Sequence, residues 1–186
     1  TGVQTCALPI FFLLLKMCDS TVKPMNIALG SDHAGYALKE ELKAYMTSLG
    51  HHVYDCGAPS ADRVDYPVYA QKACNCLAER AEAKAKLADP ATKDFPVCDR
   101  VVLVCGTGIG ISISANKMRG VRCALCHDHF TAEMCRRHNN ANAVAVGARV
   151  IGSEVAKEVV ATFLSTPFDG MQHTHRVELM MALEDQ

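Results

Sequence analysis

No stretch of this 186-residue chain approaches the run of about 20 apolar residues that a membrane helix needs. It also lacks an excess of either charge. Nineteen Lys and Arg stand against twenty Asp and Glu, a net charge of −1, so the global basic field of a nucleic-acid binder is missing. Any anion this protein binds must be held locally. A phosphate-gripping Walker loop is absent, and a G-x-G-x-x-G dinucleotide fingerprint fails because Ile111 stands where its last glycine would be. Residues 7–15 are apolar, but too few to span a bilayer and without the basic flank of a secretory signal. Residues 1–24 read as a non-native or disordered leader, with Met17 or Met25 as candidate starts. What remains has 49% hydrophobic and 21% charged residues, which excludes wholesale disorder, and a length that suits one α/β domain.

Ten cysteines suggest a disulfide framework until their neighbours are read. Several lie in apolar, strand-like runs, and the chain is larger than the small secreted scaffolds that need such staples. Reduced thiols in the cytoplasm are the expectation. From Met25 onward, strand and helix patterns alternate. Strands are expected over 26–30, 52–56, 101–105, 121–126 and 143–146. Leu38, Leu42, Tyr45 and Leu49 form the apolar stripe of a first helix, stopped by Gly50. A second helix is expected to begin near Val68 and to continue through 78–86, where Glu82 and Lys86 are spaced as an i,i+4 pair. Further helices are expected to run to Lys117, over 131–138 and over 153–164, the last with a stripe of Val155, Val159, Val160 and Phe163. Val177, Met180 and Met181 mark a terminal helix. Repeated β-α units predict a single Rossmann-like, doubly wound domain over 25–186, with a five-stranded parallel sheet flanked by helices and a C-terminal helix. An inserted helix extension is expected near 79–97.

In such sheets ligands collect beyond the carboxyl ends of the strands. Gly106, Gly108 and Gly110, directly after the third strand, can turn backbone N–H groups toward one point at a helix start and form an anion nest. The plainer reading is a tight turn. Cys105 beside that nest is a candidate base or nucleophile, although cysteine is also an ordinary core residue. Cys123, Cys126, Cys135 and His138 offer four soft ligands at knuckle-like spacing. Against zinc, Cys123 and Cys126 sit in one strand at an odd separation and should face opposite ways. Arg149, Arg176, His173 and His175 could each simply be solvated.

Ser31-Asp32-His33-Ala34-Gly35, Asp65-Tyr66-Pro67, the run Cys105 to Ser112, Ala115-Asn116-Lys117, His138-Asn139 and Gly147-Ala148-Arg149 together resemble the type B ribose-5-phosphate isomerases, a family that includes the galactose-6-phosphate isomerase subunits. The resemblance runs in order from about Met25 to the C-terminus. It implies an aldose–ketose isomerase that opens a sugar ring and passes through a cis-enediolate. Cys105 would be the base, the N–H groups of Gly106, Thr107, Gly108, Ile109, Gly110 and Ile111 the anion hole, and Thr107 a positioning group. His138 would promote ring opening, and Asp32, Tyr66 and Asn139 would contact the sugar. His33, Arg149 and Arg176 would hold the phosphate. No cofactor or metal is implied. Relatives form dimers, often paired into tetramers, whose sites take residues from both subunits. The chain departs from the pattern at its leader, at the insertion, and at Gln172, where many relatives carry a second phosphate-binding arginine. A hexose phosphate (allose or galactose 6-phosphate) is the alternative substrate, and a nucleotide-binding or sensor module and a zinc module are the alternatives from other classes.

Overall fold

The computed structural model describes residues 23–80 and 97–186. Its order is β1 (Asn26–Ser31), α1 (Tyr36–Ser48), β2 (His52–Asp55), α2 (Tyr66–Cys74), β3 (Arg100–Cys105), α3 (Ile109–Asn116), β4 (Cys123–Leu125), α4 (His129–Arg137), β5 (Ala143–Gly147), α5 (Ser153–Ser165) and α6 (Gln172–Ala182). The five strands pair in parallel in the order β2-β1-β3-β5-β4. The expected doubly wound sheet and C-terminal helix are therefore present.

β3 runs through the centre, and its alternation shows why it is apolar throughout. Val102 and Val104 pack on one face with α1, α4 and α5, while Val101, Leu103 and Cys105 pack on the other with α2 and α3. Both faces are covered, so neither can be polar. The α1 stripe is Leu38, Leu42 and Met46; Tyr45 is half-buried and Leu49 exposed, which corrects the expected stripe by one residue along its last two turns. In α5, Ala156 replaces the expected Val155, which is exposed. Gly50 closes α1 in a left-handed conformation (φ +87°), with His51 N–H donating to Met46 O and Gly50 N–H to Thr47 O.

α2 does not continue to residue 86. It ends at Cys74, because the chain then leaves the helix to pair Leu77 with Cys98. Ala78 N–H donates to Cys98 O (2.8 Å) and Cys98 N–H to Cys76 O (2.7 Å), and Cys76 and Leu77 are fully buried. A long-range bridge thus overrides local helix propensity. The expected helix extension and its Glu82–Lys86 pair fall largely outside the described residues, as does nearly all of the leader. On α6 the expected stripe is not buried: Met180 is exposed, Val177 and Met181 are half-buried, and only His173 is buried.

Lys39 carries its charge into the core. Lys39 is 2% exposed, and its Nζ donates to Asp55 (2.8 Å), Ala58 O (3.1 Å) and Glu40 (2.7 Å). Burial opposes ionisation of Asp55, but hydrogen bonds from Lys39, Lys43 and the Gly57 N–H outweigh it and hold the carboxyl below its ordinary value. Lys39 thereby ties α1 to the turn after β2. Lys39→Met keeps the apolar stem but removes the Lys39 donor from Ala58 O and leaves Asp55 with Lys43 and the Gly57 N–H. It is expected to cost about 1–3 kcal/mol in urea unfolding, with an unchanged m-value.

Candidate active site

The strand order changes direction between β1 and β3, so the chains leaving these two strands diverge and open a crevice at their carboxyl ends. Asp32 begins the turn after β1. It is 6% exposed, and its Oδ1 accepts the Gly35 N–H (3.0 Å) while its own N–H donates to Val104 O (3.3 Å). Gly35 permits this closeness, since a Cβ there would lie 2.5 Å from the Val104 oxygen. His33 Nδ1 lies 3.2 Å from both the N–H and the carbonyl oxygen of Val64, which ties the ring to that backbone.

Cys105 ends β3 at 4% exposure, and its Sγ accepts the Gly108 N–H at 3.0 Å. Gly108 has φ +78°, so the loop turns back onto its own cysteine before α3 begins. The Ile109 N–H donates to Thr107 Oγ1 (3.3 Å). Two of the N–H groups expected to face a ligand are thus engaged within the loop. The Ile111 side chain is buried core. The Tyr66 ring lies over Gly110, where a Cβ would sit 2.8 Å from its Cζ. From β5, Arg149 N–H donates to Gly106 O (2.9 Å), and its guanidinium comes within 3.7 Å of where a Gly106 Cβ would be. Asp32, His33, Tyr66, the 105–111 loop and Arg149 therefore share the carboxyl edge.

His138, Asn139 and Arg176 do not. α4 leaves the carboxyl end of β4 and must reach the amino end of β5, so His138, which caps its C-terminus, lies at the amino edge. A strand of this length puts about 15 Å between the two edges. There the His138 and His173 rings stack, centroids 4.2 Å apart and planes 11° from parallel. Arg137 Nε donates to both oxygens of Asp169 (3.2 and 3.0 Å), and Arg136, 3% exposed, donates to Thr166 O and Asn140 Oδ1. Burial, with Arg100 and Arg122 nearby, pushes the Arg136 guanidinium down to about 10. Gln172 and Arg176 are exposed on the first turns of α6. The proposed zinc quartet is not assembled. Cys123 packs on one face of the sheet, Cys126 and Cys135 on the other with sulfurs 3.9 Å apart, and His138 meets His173 instead. The pairing of His138 with His173 and Asp169 has no local sequence signal, because it depends on how α6 returns beneath α4.

A family model described as Ribose/Galactose Isomerase matches residues 27–180. Ribose-5-phosphate isomerase B of Escherichia coli K12 is 38% identical over 161 residues, 87% of this chain and 97% of that protein. The D-erythrulose-4-phosphate isomerase of Pectobacterium atrosepticum is 34% identical over 163 residues, covering 87% and 97%. Among solved structures, the Trypanosoma brucei type B ribose 5-phosphate isomerase superposes with a TM-score of 0.75 at 40% identity, covering 87% of this chain and 99% of that one.

The crevice depends on two loops pressed together: a Cβ on Gly147 would lie 2.6 Å from the Thr107 carbonyl carbon and oxygen. Gly147→Ala is expected to lose about 1–3 kcal/mol in urea denaturation, the usual cost of overpacking. Gly106→Ala, whose Cβ meets nothing closer than 3.5 Å, should unfold within about 0.5 kcal/mol of the parent.

Proposed function

The chain belongs to the ribose/galactose isomerase family, and from that premise we propose that it interconverts ribose 5-phosphate and ribulose 5-phosphate in the cytoplasm, as a homodimer or a pair of dimers. The observation that carries this reading is the buried Cys105 sulfur at the end of the central strand, in the same loop as the glycine nest and beside Arg149.

In the proposed cycle, the sugar ring opens when the anomeric hydroxyl gives up its proton and the ring oxygen gains one, with the His138 imidazole mediating that exchange. The Cys105 thiolate then removes the proton from C2 of the aldose. The electron pair moves onto the C1 oxygen, giving a cis-enediolate to whose oxygens backbone N–H groups of the 106–111 loop can donate, those of Gly108 and Ile109 on release from Cys105 Sγ and Thr107 Oγ1. Return of the carbon proton to C1, with transfer of the hydroxyl proton from O2 to O1, yields the ketose with no net change in protons. Thr107 and Tyr66 fit a role in orienting the sugar, and Asp32 and Asn139 in binding its hydroxyls. His33, Arg149 and Arg176 supply the donors for the phosphate.

Two edges about 15 Å apart cannot serve one small sugar. In the proposed enzyme His138, Asn139 and Arg176 therefore reach the site from a second copy. The exposed Leu179, Met180 and Leu183 on and just after α6 support self-association. The D-erythrulose-4-phosphate isomerase among the relatives makes substrate length a quantity to measure. A coupled assay should compare ribose 5-phosphate with ribulose, allose and galactose phosphates.

Chelator-treated enzyme is expected to retain turnover, because the proposed steps need only side chains and backbone. Cys105→Ala is expected to abolish it while leaving substrate binding nearly intact, since a base acts in the transition state. Full activity in that variant would remove Cys105 from the mechanism. Sharing of sites has a separate test. Inactive Cys105→Ala and His138→Ala chains, mixed in equal amounts under conditions of subunit exchange, should recover about a quarter of parental activity. Half the dimers are then hybrids, and each hybrid holds one intact site of two. No recovery from hybrids shown to form would place each site within one chain.

A further inference from the structure

We infer that His138, His173 and Asp169 form a binding site for a divalent first-row transition-metal ion at the amino edge of the sheet. Their ligand atoms all lie within 4.8 Å of one another. Two imidazoles and a carboxylate make the donor set of three-ligand metal sites that keep a further position open. An ion about 2.0–2.1 Å from each donor in tetrahedral geometry sets the donors roughly 3.4 Å apart, so binding contracts the cluster as well as reorienting His138.

Asp169 and His173 lie four residues apart around the start of α6, and backbone hydrogen bonds hold that segment against the end of α4, which carries His138. Asp169 N–H donates to Arg137 O (3.1 Å), and His173 N–H to Gly170 O (2.9 Å). Arg137 Nε grips the Asp169 carboxylate from one side, as the outer-shell partner of a metal-bound carboxylate does. His173 is 9% exposed and fixed by packing, whereas His138 stands half-buried at a helix end. Imidazole lone pairs lie in the ring plane, so stacked rings cannot both aim at one ion. Binding requires His138 to turn about its terminal torsion, which is broad for an sp³–sp² bond. The Arg137 charge opposes any cation, which disfavours hard ions such as Mg²⁺ and leaves the site to ions that prefer imidazole nitrogen.

Occupancy would tie up the His138 lone pair and block ring opening. This consequence for turnover rests on the isomerase reading above, whereas the site itself does not.

The test uses the full-length, untagged, chelator-treated protein with a non-thiol reductant, titrated with Co²⁺ and followed by visible absorption and calorimetry. One ion per chain is expected, with the d–d bands of a nitrogen–oxygen site and no thiolate-to-cobalt charge transfer. His173→Ala and Asp169→Asn should each weaken binding on the order of tenfold or more, as even outer-shell losses do at characterised sites. Asp169 is exposed, so its variant tests the site even if His173→Ala fails to fold. No saturable binding, a thiolate charge-transfer band, or unchanged affinity in Asp169→Asn would overturn the inference. In a parallel assay with ribose 5-phosphate, Co²⁺ should inhibit reversibly. Binding without inhibition would uphold the site and overturn the role given to His138.

Discussion

Gly35 rests against the carbonyl of Val104 with no room for a side chain between them. That approach lets the turn after β1 lie on the end of β3, where the Asp32 N–H finds its acceptor and the Asp32 carboxylate caps the turn. With the turn seated there, His33 and the cysteine loop border the same crevice. Any displacement of this contact would separate the groups that follow β1 from those that follow β3. The same economy recurs at Gly147 against Thr107, so the crevice is framed by backbone meeting backbone. Such a frame is stiff, and the proposed oxyanion stabilisation needs stiffness, since donors that must reorient lose much of their effect.

The electrostatics of the site follow from the near-neutral composition. A chain with net charge −1 cannot draw in a sugar phosphate by its overall field, so the attraction is assembled from a few donors at strand ends. Arg149 is attached by its own backbone to Gly106, which fixes a positive charge beside the nest. On the far side of β1, Lys39 spends its charge inside the core on Asp55, Glu40 and a carbonyl. One cation braces the turn after β2 and the other lies beside the glycine loop.

Much of this was legible in the residues. Strand alternation and the carboxyl-end rule point to the residues that follow β1 and β3, Asp32, His33 and the Cys105 loop, because those signals are local, whereas Arg149 entered only through the family resemblance. The end of α2 was not legible. Helix formers run on past Cys74, and only the pairing of Leu77 with Cys98, a contact between residues far apart in sequence, stops the helix. Tyr45 and Met46 are neighbours, and which one faces the core is set by how α1 lies on the sheet. His138 illustrates a different limit. Its type suggested chemistry, but the edge it occupies follows from the direction of winding, and its stacking on His173 from the return of α6. The exposed apolar residues of α6 belong to the same limit, since a single chain does not reveal what covers them.

The bridge between Leu77 and Cys98 has an effect on how such a chain can change over generations. Two short hydrogen bonds, Ala78 N–H to Cys98 O and Cys98 N–H to Cys76 O, clamp the two ends of the connection between α2 and β3 to each other. Arg100, at the start of β3, keeps its register with Ile27 whatever lies between. A clamped gap of this kind tolerates added length cheaply, because each doubling of a flexible loop costs only about 0.6 kcal/mol of closure entropy. The fold therefore carries a splice point at the amino edge of the sheet, at the opposite end of β3 from the Cys105 loop, where new sequence can accumulate.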